Sequence, residues 1–297
     1  MTGVVIRPLR GLAEREACVA LQDRVWGPGF ADRVPASILM IVQETGGVAS
    51  GAFDGDRLIG FVFGVTGIRD GRPVHWSDML AVEEGWRGRG IGFRLKLHQR
   101  ELLLDRGVET ARWTFDPLEA RNAHLNLRRL GAIAYEYRRD LYGRSESPLH
   151  AGIGTDRLVV RWPIASDRVS ERVAAGEARR APVEGRASHA PSAAGPVAPS
   201  RRGTLPVVNP VGPGDPRRPG TGLIEPDSSA VRIAIPGDIQ ALKRSDPDAG
   251  LAWRANVRAA FEWAFDAGYT ALDLQRGSGG QAGVAHYVAV RGFDPVG

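Results

Sequence analysis

The chain has 297 residues, 43% of them hydrophobic and 25% charged, with 39 Lys and Arg against 34 Asp and Glu for a formal net charge of +5. Such a chain can bury a full core in one or two domains, and no apolar run approaches the roughly 18–20 residues that span a bilayer. The basic balance invites a nucleic-acid partner, but it is almost all arginine interspersed with acids, lysine occurring only at Lys96 and Lys243, so no basic face stands out and nucleic acid is disfavoured.

Met1-Thr2-Gly3-Val4-Val5-Ile6-Arg7-Pro8 has no basic region leading into an apolar stretch, so a cytoplasmic protein is expected. Val4 to Leu9 reads as a first strand. Leu12 to Val25 follows with helical spacing, and Cys18, the only cysteine, falls in its apolar set as a buried structural thiol. A lone cysteine excludes an internal disulfide and a cysteine cage, and no metal is expected. Gly27-Pro28-Gly29 breaks the helix, and Pro35 to Gln43 is a second short helix. Val48 to Phe53 and Leu58 to Val65 flank Asp54-Gly55-Asp56 as a tight hairpin, and His75 to Val82 is the third strand of the meander. Gly92 to Asp105 is helical, ended by Gly107. Thr110 to Phe115 is a strand, Asp116-Pro117 a turn, and Leu118 to Leu130 a helix closed by Gly131. Ala132 to Leu141 and Leu158 to Ile164 are two more strands. The order β, α, α, β, β, β, α, β, α, β, β predicts an α/β domain over 1–164, a mixed sheet with helices on both faces.

Beyond residue 164 the composition changes. Ser166-Asp167 caps a short helix through Ala178, and the Pro-, Ala- and Arg-rich stretch 179–202 reads as disordered, so 165–202 is a linker region. Residues 203–297 form a small β-α-β-β accessory unit: a strand at Val231-Arg232-Ile233-Ala234-Ile235, a helix from Asp248 to Ala267, and strands at Thr270 to Leu274 and His286 to Val290. In the helix Trp253, Val257, Ala260, Phe261, Ala264 and Phe265 make one apolar face. A unit this small cannot bury both faces, so it is expected to pack on the first domain or on another copy of the chain in a homodimer.

Chemistry concentrates where the third strand meets the next helix, in Leu80-Ala81-Val82-Glu83-Glu84-Gly85-Trp86-Arg87-Gly88-Arg89-Gly90-Ile91-Gly92. A strand–glycine loop–helix junction aims backbone N–H groups in one direction, aided by the helix's positive end, and so receives a phosphate or pyrophosphate. Gly88, Gly90 and Gly92 let that backbone approach the oxygens, while Arg87 and Arg89 steer the anion and add charge-assisted contacts. A dinucleotide fingerprint is disfavoured, since Phe93 stands where the third glycine would be, and a Walker loop is excluded because Gly-Lys-Ser/Thr is missing.

In this context the chain resembles the GNAT superfamily of N-acyltransferases, whose pyrophosphate loop reads Gln/Arg-x-x-Gly-x-Gly/Ala between a strand and a helix. Arg87, Gly90 and Gly92 fit those positions, Leu80-x-Val82 fits the strand end, and the element order and the helix ending at Leu130-Gly131 fit as well. Trp-Thr-Phe-Asp-Pro-Leu at 113–118 and Arg-Asn-Ala-His at 121–124 resemble a predicted-acetyltransferase group within it. The resemblance covers residues 1 to about 164. It implies a GNAT fold, acetyl-CoA or another short acyl-CoA as cosubstrate, and a primary amine of a small molecule or amino acid as acceptor, attacking the thioester directly. It also implies that Leu80, Val82, Arg87, Gly88, Arg89, Gly90, Ile91 and Gly92 bind the cosubstrate, one strand N–H polarising the thioester carbonyl, and that Asn122 and Asn126 contact it from the following helix.

Amine acylation needs a base, because an amine with a pKa around 10 is protonated at neutral pH. Strand periodicity puts Trp76, Asp78, Leu80 and Val82 on one face. Asp78 stands where several members of the superfamily place a histidine base, and Glu83 is a second candidate at the strand's end. Leu127 replaces the tyrosine that often protonates the leaving thiolate, which leaves Tyr142 as the substitute acid. These two departures also open a rival reading, a CoA-binding regulatory module that has lost catalysis.

Overall fold

Two glycine-bearing turns build the first sheet. β1 (Val5–Pro8) pairs antiparallel with β2 (Val48–Asp54) on either side of α1 (Gly11–Trp26) and α2 (Ala36–Glu44). β2 turns into β3 (Arg57–Arg69) through Gly55, whose φ is +58°, and β3 into β4 (Arg72–Val82) through Asp70 and Gly71 at +52° and +74°. Positive φ at both central residues is the twist-matched hairpin geometry that Asp-Gly favours. The β3–β4 ribbon therefore continues well past the expected strand ends at Val65 and His75. After a single turn of 3₁₀-helix at Glu84–Trp86 comes α3 (Ile91–Leu104), and then β5 (Thr110–Phe115) runs parallel to β4. The sheet order is β1-β2-β3-β4-β5, a mixed sheet as expected. The computed structural model describes residues 3–28, 30–143, 152–178, 205–212, 215–276 and 283–294, and the linker expected over 179–202 lies outside the described residues.

The described chain clusters into two compact units, the first of which holds Met1–Thr114 and Pro163–Ala165. One face of its sheet carries α1 and α2, which bury Cys18, Leu21, Leu39 and Val42 with Phe61, Phe63, Met79 and Ala81. The Cys18 thiol is fully buried, and desolvation pushes its pKa up to about 12, so it is the structural thiol the helical spacing implied. The other face carries α3. A Cβ added to Gly60, the residue opposite Val82, would meet Leu95 at 3.4 Å.

The second unit holds Phe115–Arg144, Gly152–Trp162 and Ser166–Gly297. The expected single helix over 118–130 is two pieces: α4 (Ala120–Ala123) runs into a π-helical turn at His124–Arg129, closed by Leu130 N–H on the Leu125 carbonyl at 2.9 Å. That five-residue spacing is the signature of a π-turn, which hydrophobic periodicity does not encode. β6 (Ile133–Arg138), β7 (Arg157–Pro163) and α5 (Asp167–Ala178) follow.

Two short strands, β8 (Val211–Gly212) and β9 (Asp215–Pro219), and the helix α6 (Ile239–Ser245) were not foreseen. The first two lie in a Pro/Gly-rich stretch, and α6 is a two-turn helix fixed by its cap, the Asp238 carboxylate accepting from Ala241 N–H. β10 (Ala230–Pro236), α7 (Pro247–Asp266), β11 (Tyr269–Arg276) and β12 (Val284–Arg291) complete the unit, in sheet order β7-β6-β11-β12-β10 with antiparallel neighbours. On the apolar face of α7 Trp253, Val257, Ala260, Phe261 and Ala264 are fully buried and Phe265 is half-buried, and Phe261 packs edge-on to Tyr287 at 4.9 Å and stacks on Tyr137 at 6.0 Å. The C-terminal elements thus share one core with residues 115–162. Among the described residues no helix is long and apolar enough to cross a membrane.

Candidate acyl-transfer site

β4 is straight in its ladder with β3 at both ends but not in the middle. Phe63 faces Met79 while Val65 faces Trp76, so Gly64 opposes both Ser77 and Asp78. This is a β-bulge, which bends a strand and re-aims its side chains. A Cβ on Gly64 would lie 2.5 Å from the Trp76 carbonyl oxygen and 2.3 Å from His75 Nε2, so only glycine fits beneath the bulge.

The bulge corrects the strict alternation expected for this strand. Before it, Ser77 points at α3, where Lys96 Nζ donates to Ser77 Oγ at 2.9 Å. After it, Met79 and Ala81 join the α1–α2 core, which sends Leu80 and Val82 to the α3 face. Trp76 and Asp78 therefore do not share a face with Leu80 and Val82.

Asp78 sits in the bulge. Although it keeps contact with solvent, the surrounding protein desolvates its carboxyl and raises the pKa. A hydrogen bond from Trp76 opposes that shift, and the charge of Asp32, on the loop between α1 and α2, adds to it. A carboxylate with a raised pKa is a better base than an ordinary one.

The strand end offers backbone groups. Glu83 N–H donates to the Ile59 carbonyl at 2.9 Å. Alternation along an antiparallel ladder then turns the N–H and C=O of Leu80 and Val82 away from β3, toward β5. Among the described residues β5 pairs with β4 only at His75–Ala111 and Trp76–Arg112, so the two strands part beyond Trp76. Arg87 Nε donates to the Val82 carbonyl at 3.0 Å, folding the loop back onto the strand.

The glycine loop has the geometry its sequence implied. Gly88 and Gly90 stand at φ +77° and +76°, the left-handed region that costs other residues about 1–2 kcal/mol. Gly90 is the N-cap residue of α3 with no side-chain cap, and the first bond of the helix runs from Arg94 N–H to the Gly90 carbonyl. The N–H groups of the first turn therefore point out of the helix start. Arg87, Gly88 and Arg89 are exposed, Ile91 is buried and Gly92 half-buried; the Arg89 guanidinium lies over the Trp86 ring at 4.8 Å. Left-handed glycines, a helix N-terminus and two flanking guanidinium groups suit a pyrophosphate.

The remaining expected site residues have other surroundings. Glu83 is bound by Arg57 at 2.8 Å and Arg24 at 3.5 Å, an anchor between β3, β4 and α1. Asn122, Asn126 and Tyr142 belong to the second unit, where Asn122 is exposed and Asn126 is buried in the π-turn. Tyr142 is exposed on a turn, with the Arg157 guanidinium 5.1 Å over its ring.

One feature escaped the sequence entirely. Lys96, fully buried on α3, donates to Ser77 Oγ and to Gln99 Oε1 at 2.8 Å and lies 3.9 Å over the Trp113 ring of β5. Gln99 Nε2 contacts His75 Nε2 at 2.9 Å, and His75 Nδ1 contacts Thr66 Oγ1 at 2.9 Å. Desolvation pulls Lys96 down to about 7 and, with the nearby Lys96 and Arg106 charges, His75 down to about 3. This polar cluster lies beneath the point where β4 bulges and leaves β5. Its only trace in the sequence is a lysine inside the apolar run Leu95–Leu97 of a chain that has two lysines.

Residues 16–132 match the family model described as Acetyltransferase (GNAT) family. Similar solved structures include the NatC complex bound to Gag peptide and CoA, at 15% identity, 54% of this chain, 98% of that chain and a TM-score of 0.45. The ribosomal-protein-S18-alanine N-acetyltransferase from Escherichia coli aligns at 18% identity, over 55% of this chain and 96% of that one, with a TM-score of 0.43. Naa50 from Arabidopsis thaliana, in complex with a bisubstrate analogue, aligns at 15% identity over 53% and 97%, with a TM-score of 0.42. No curated protein sequence matches the chain.

Proposed function

We propose, from the premise that residues 16–132 are a GNAT-family acetyltransferase domain, that the chain transfers a short acyl group, acetyl first among them, from coenzyme A to a primary amine of a small molecule or amino acid. The observation that carries this is the junction of β4 and α3. A strand end turns its backbone groups away from β3, β5 departs beyond Trp76, and left-handed glycines open a helix N-terminus one turn later.

In this reading Gly88 to Gly92 hold the pyrophosphate and Arg87 and Arg89 flank it. The strand N–H groups at Leu80 and Val82 face the thioester and support negative charge on its carbonyl oxygen. Asp78 takes the proton of the incoming ammonium. The amine nitrogen then forms a bond to the acyl carbon, the carbon–sulfur bond breaks, and the leaving thiolate takes up the proton that the nitrogen gives off as it becomes the amide. The acyl-transfer reading covers residues 1–164, and residues 203–297, which share a core with residues 115–143 and 152–162, act as its accessory part; the protein works in the cytoplasm as a homodimer without nucleic acid. Glu83 is held by two arginines and serves as structural anchor before base.

One observation favours a module that binds CoA without turnover: Leu127, at the position often held by the acid, is completely buried. A thermal-shift titration tests both readings together. Acetyl-CoA at a hundredfold excess over its Kd stabilises by about 2.7 kcal/mol, and Gly90→Trp, which fills the N-terminus of α3, abolishes the shift, its ligand-free Tm falling by the few degrees that about 1–2 kcal/mol of left-handed strain costs. No shift with any acyl-CoA rejects CoA binding. Thiol release with a panel of amines then separates enzyme from binding module.

A further inference from the structure

Two registers are open to β4 where it passes α3. Continued without a bulge from the Phe63–Met79 pair, the ladder would set Gly64 against Asp78, Val65 against Ser77 and Thr66 against Trp76. Such a slip turns each side chain to the other face. Trp76 and Asp78 would then point toward α3 and Ser77 away from it. The observed register instead sets Val65 against Trp76 and Thr66 against His75. Gly64 permits this bulge without selecting it, because a regular ladder accepts glycine as well.

The selection comes from the α3 side. His75, Ser77, Lys96 and Gln99 are all buried there, Ser77 being the most exposed of them at 5%. Ser77 Oγ donates to Gln99 Oε1 at 3.0 Å and accepts from Lys96 Nζ at 2.9 Å. Gln99 Nε2 contacts His75 Nε2, and His75 Nδ1 contacts Thr66 Oγ1, each at 2.9 Å. Thr66 and His75 are direct cross-strand partners, so their contact belongs to the bulged register alone. Slipped by one residue, Ser77 and His75 would leave α3, and the Gln99 amide would be buried without them.

We infer that Ser77 and Gln99, with Lys96, are positioning residues that lock β4 in its bulged register and so hold Asp78 beside Trp76 on the face away from α3. The inference rests on the acyl-transfer reading for the role of Asp78 as base, while the lock itself does not.

The indole N–H of Trp76 reads the lock, because Trp76 hydrogen-bonds the Asp78 carboxyl. In NMR spectra of the full chain carrying isotope-labelled tryptophan, its signal, assigned with Trp76→Phe, moves as acid protonates that carboxyl. Asp78→Asn removes the movement and so separates it from titration of His75. Gln99→Met, which cuts the bonds to Ser77, Lys96 and His75, abolishes the movement. Should that variant fail to fold, Ser77→Ala gives the same loss, and Ser77→Thr, which keeps the hydroxyl, retains the movement. With an accepted amine, Gln99→Met and Ser77→Ala lower kcat about 10- to 100-fold through displacement of the base, and the acetyl-CoA thermal shift stays as in wild type. A signal that does not move in wild type, that still moves in Gln99→Met or Ser77→Ala, or that is lost equally in Ser77→Thr overturns the inference. Wild-type kcat in a variant that has lost the movement overturns the positioning role. A signal that behaves as described in a chain that acetylates no amine rejects the acyl-transfer reading and leaves the lock standing.

Discussion

Lys96 sits in an environment far from what water would give it. Its ammonium is fully buried and held by neutral oxygens of Ser77 and Gln99, so burial depresses its pKa to about 7 from an ordinary 10.5. A folded-state value below the unfolded one means that stability is fully present above the unfolded value and is lost as pH falls through the folded one. The window is pH 10.5 down to 7. Below it the native chain carries a buried ammonium. Lys96→Met removes that cost and leaves the Ser77–Gln99 hydrogen bond at 3.0 Å in place. The variant should be more stable than wild type at pH 6, by about 1–4 kcal/mol, with the advantage shrinking by at most about 1.4 kcal/mol per pH unit toward pH 9. Urea unfolding at pH 6, 7.5 and 9 measures it. A difference that does not change with pH would mean that the folded chain holds the Lys96 proton as the unfolded chain does, with Lys96 charged throughout that range.

At the scale of elements, β4 shows both what a sequence carries and what it withholds. Its C-terminal end was legible: the stop at Val82, the glycines at 88 and 90, and the apolar spacing that begins α3 each follow from local rules, while its start at Arg72 lies three residues before the expected His75. The bulge at Ser77–Asp78 was not, because it depends on Gly64 thirteen residues earlier and on Lys96 nineteen residues later than Ser77. The π-turn at His124–Arg129 hid for a related reason, since residues five apart bond there while the apolar pattern still reads as an α-helix. The bulge matters because it separates Asp78 from the face of Leu80 and Val82 and places it beside Trp76. Asp78→Asn should therefore lower kcat by about 100-fold or more while the acetyl-CoA thermal shift stays as in wild type. With the carboxyl pKa raised, wild-type kcat/KM falls as pH drops through that value, and the Asn variant should lose this acid limb. Rates at saturating amine give kcat and pH profiles at limiting amine give kcat/KM, and wild-type turnover in the variant would remove Asp78 from the chemistry.

Across the whole molecule, the Trp-Thr-Phe-Asp-Pro-Leu stretch at 113–118 takes on a structural meaning that no local pattern supplies. Asp116 is buried in the second unit, where Oδ1 accepts from Leu118 N–H at 2.8 Å. Both its oxygens are then held by Arg254 of α7, at 2.9 and 2.6 Å, and Arg254 Nε donates to the Ile153 carbonyl at 2.9 Å. Tyr287 of β12, also buried, donates to the Pro117 carbonyl at 2.7 Å. Residues 138 and 170 positions apart thus fix one turn, so the C-terminal elements complete the core around β6 and β7 rather than hanging from them. A bidentate pair this deep is costly to break by halves. Arg254→Ala removes the bidentate partner of the buried Asp116 carboxylate, leaving it with Arg157 at 4.0 Å, and should cost about 3–5 kcal/mol. Asp116→Asn combined with Arg254→Met removes both charges and keeps the side-chain volumes, and should lose less than either single change to alanine. Chemical denaturation of the full chain measures the three variants. If Arg254→Ala unfolds at the wild-type midpoint, water reaches Asp116 and the turn does not depend on α7. If the double variant is the least stable of the set, the pair contributes net stability beyond the desolvation of its two charges.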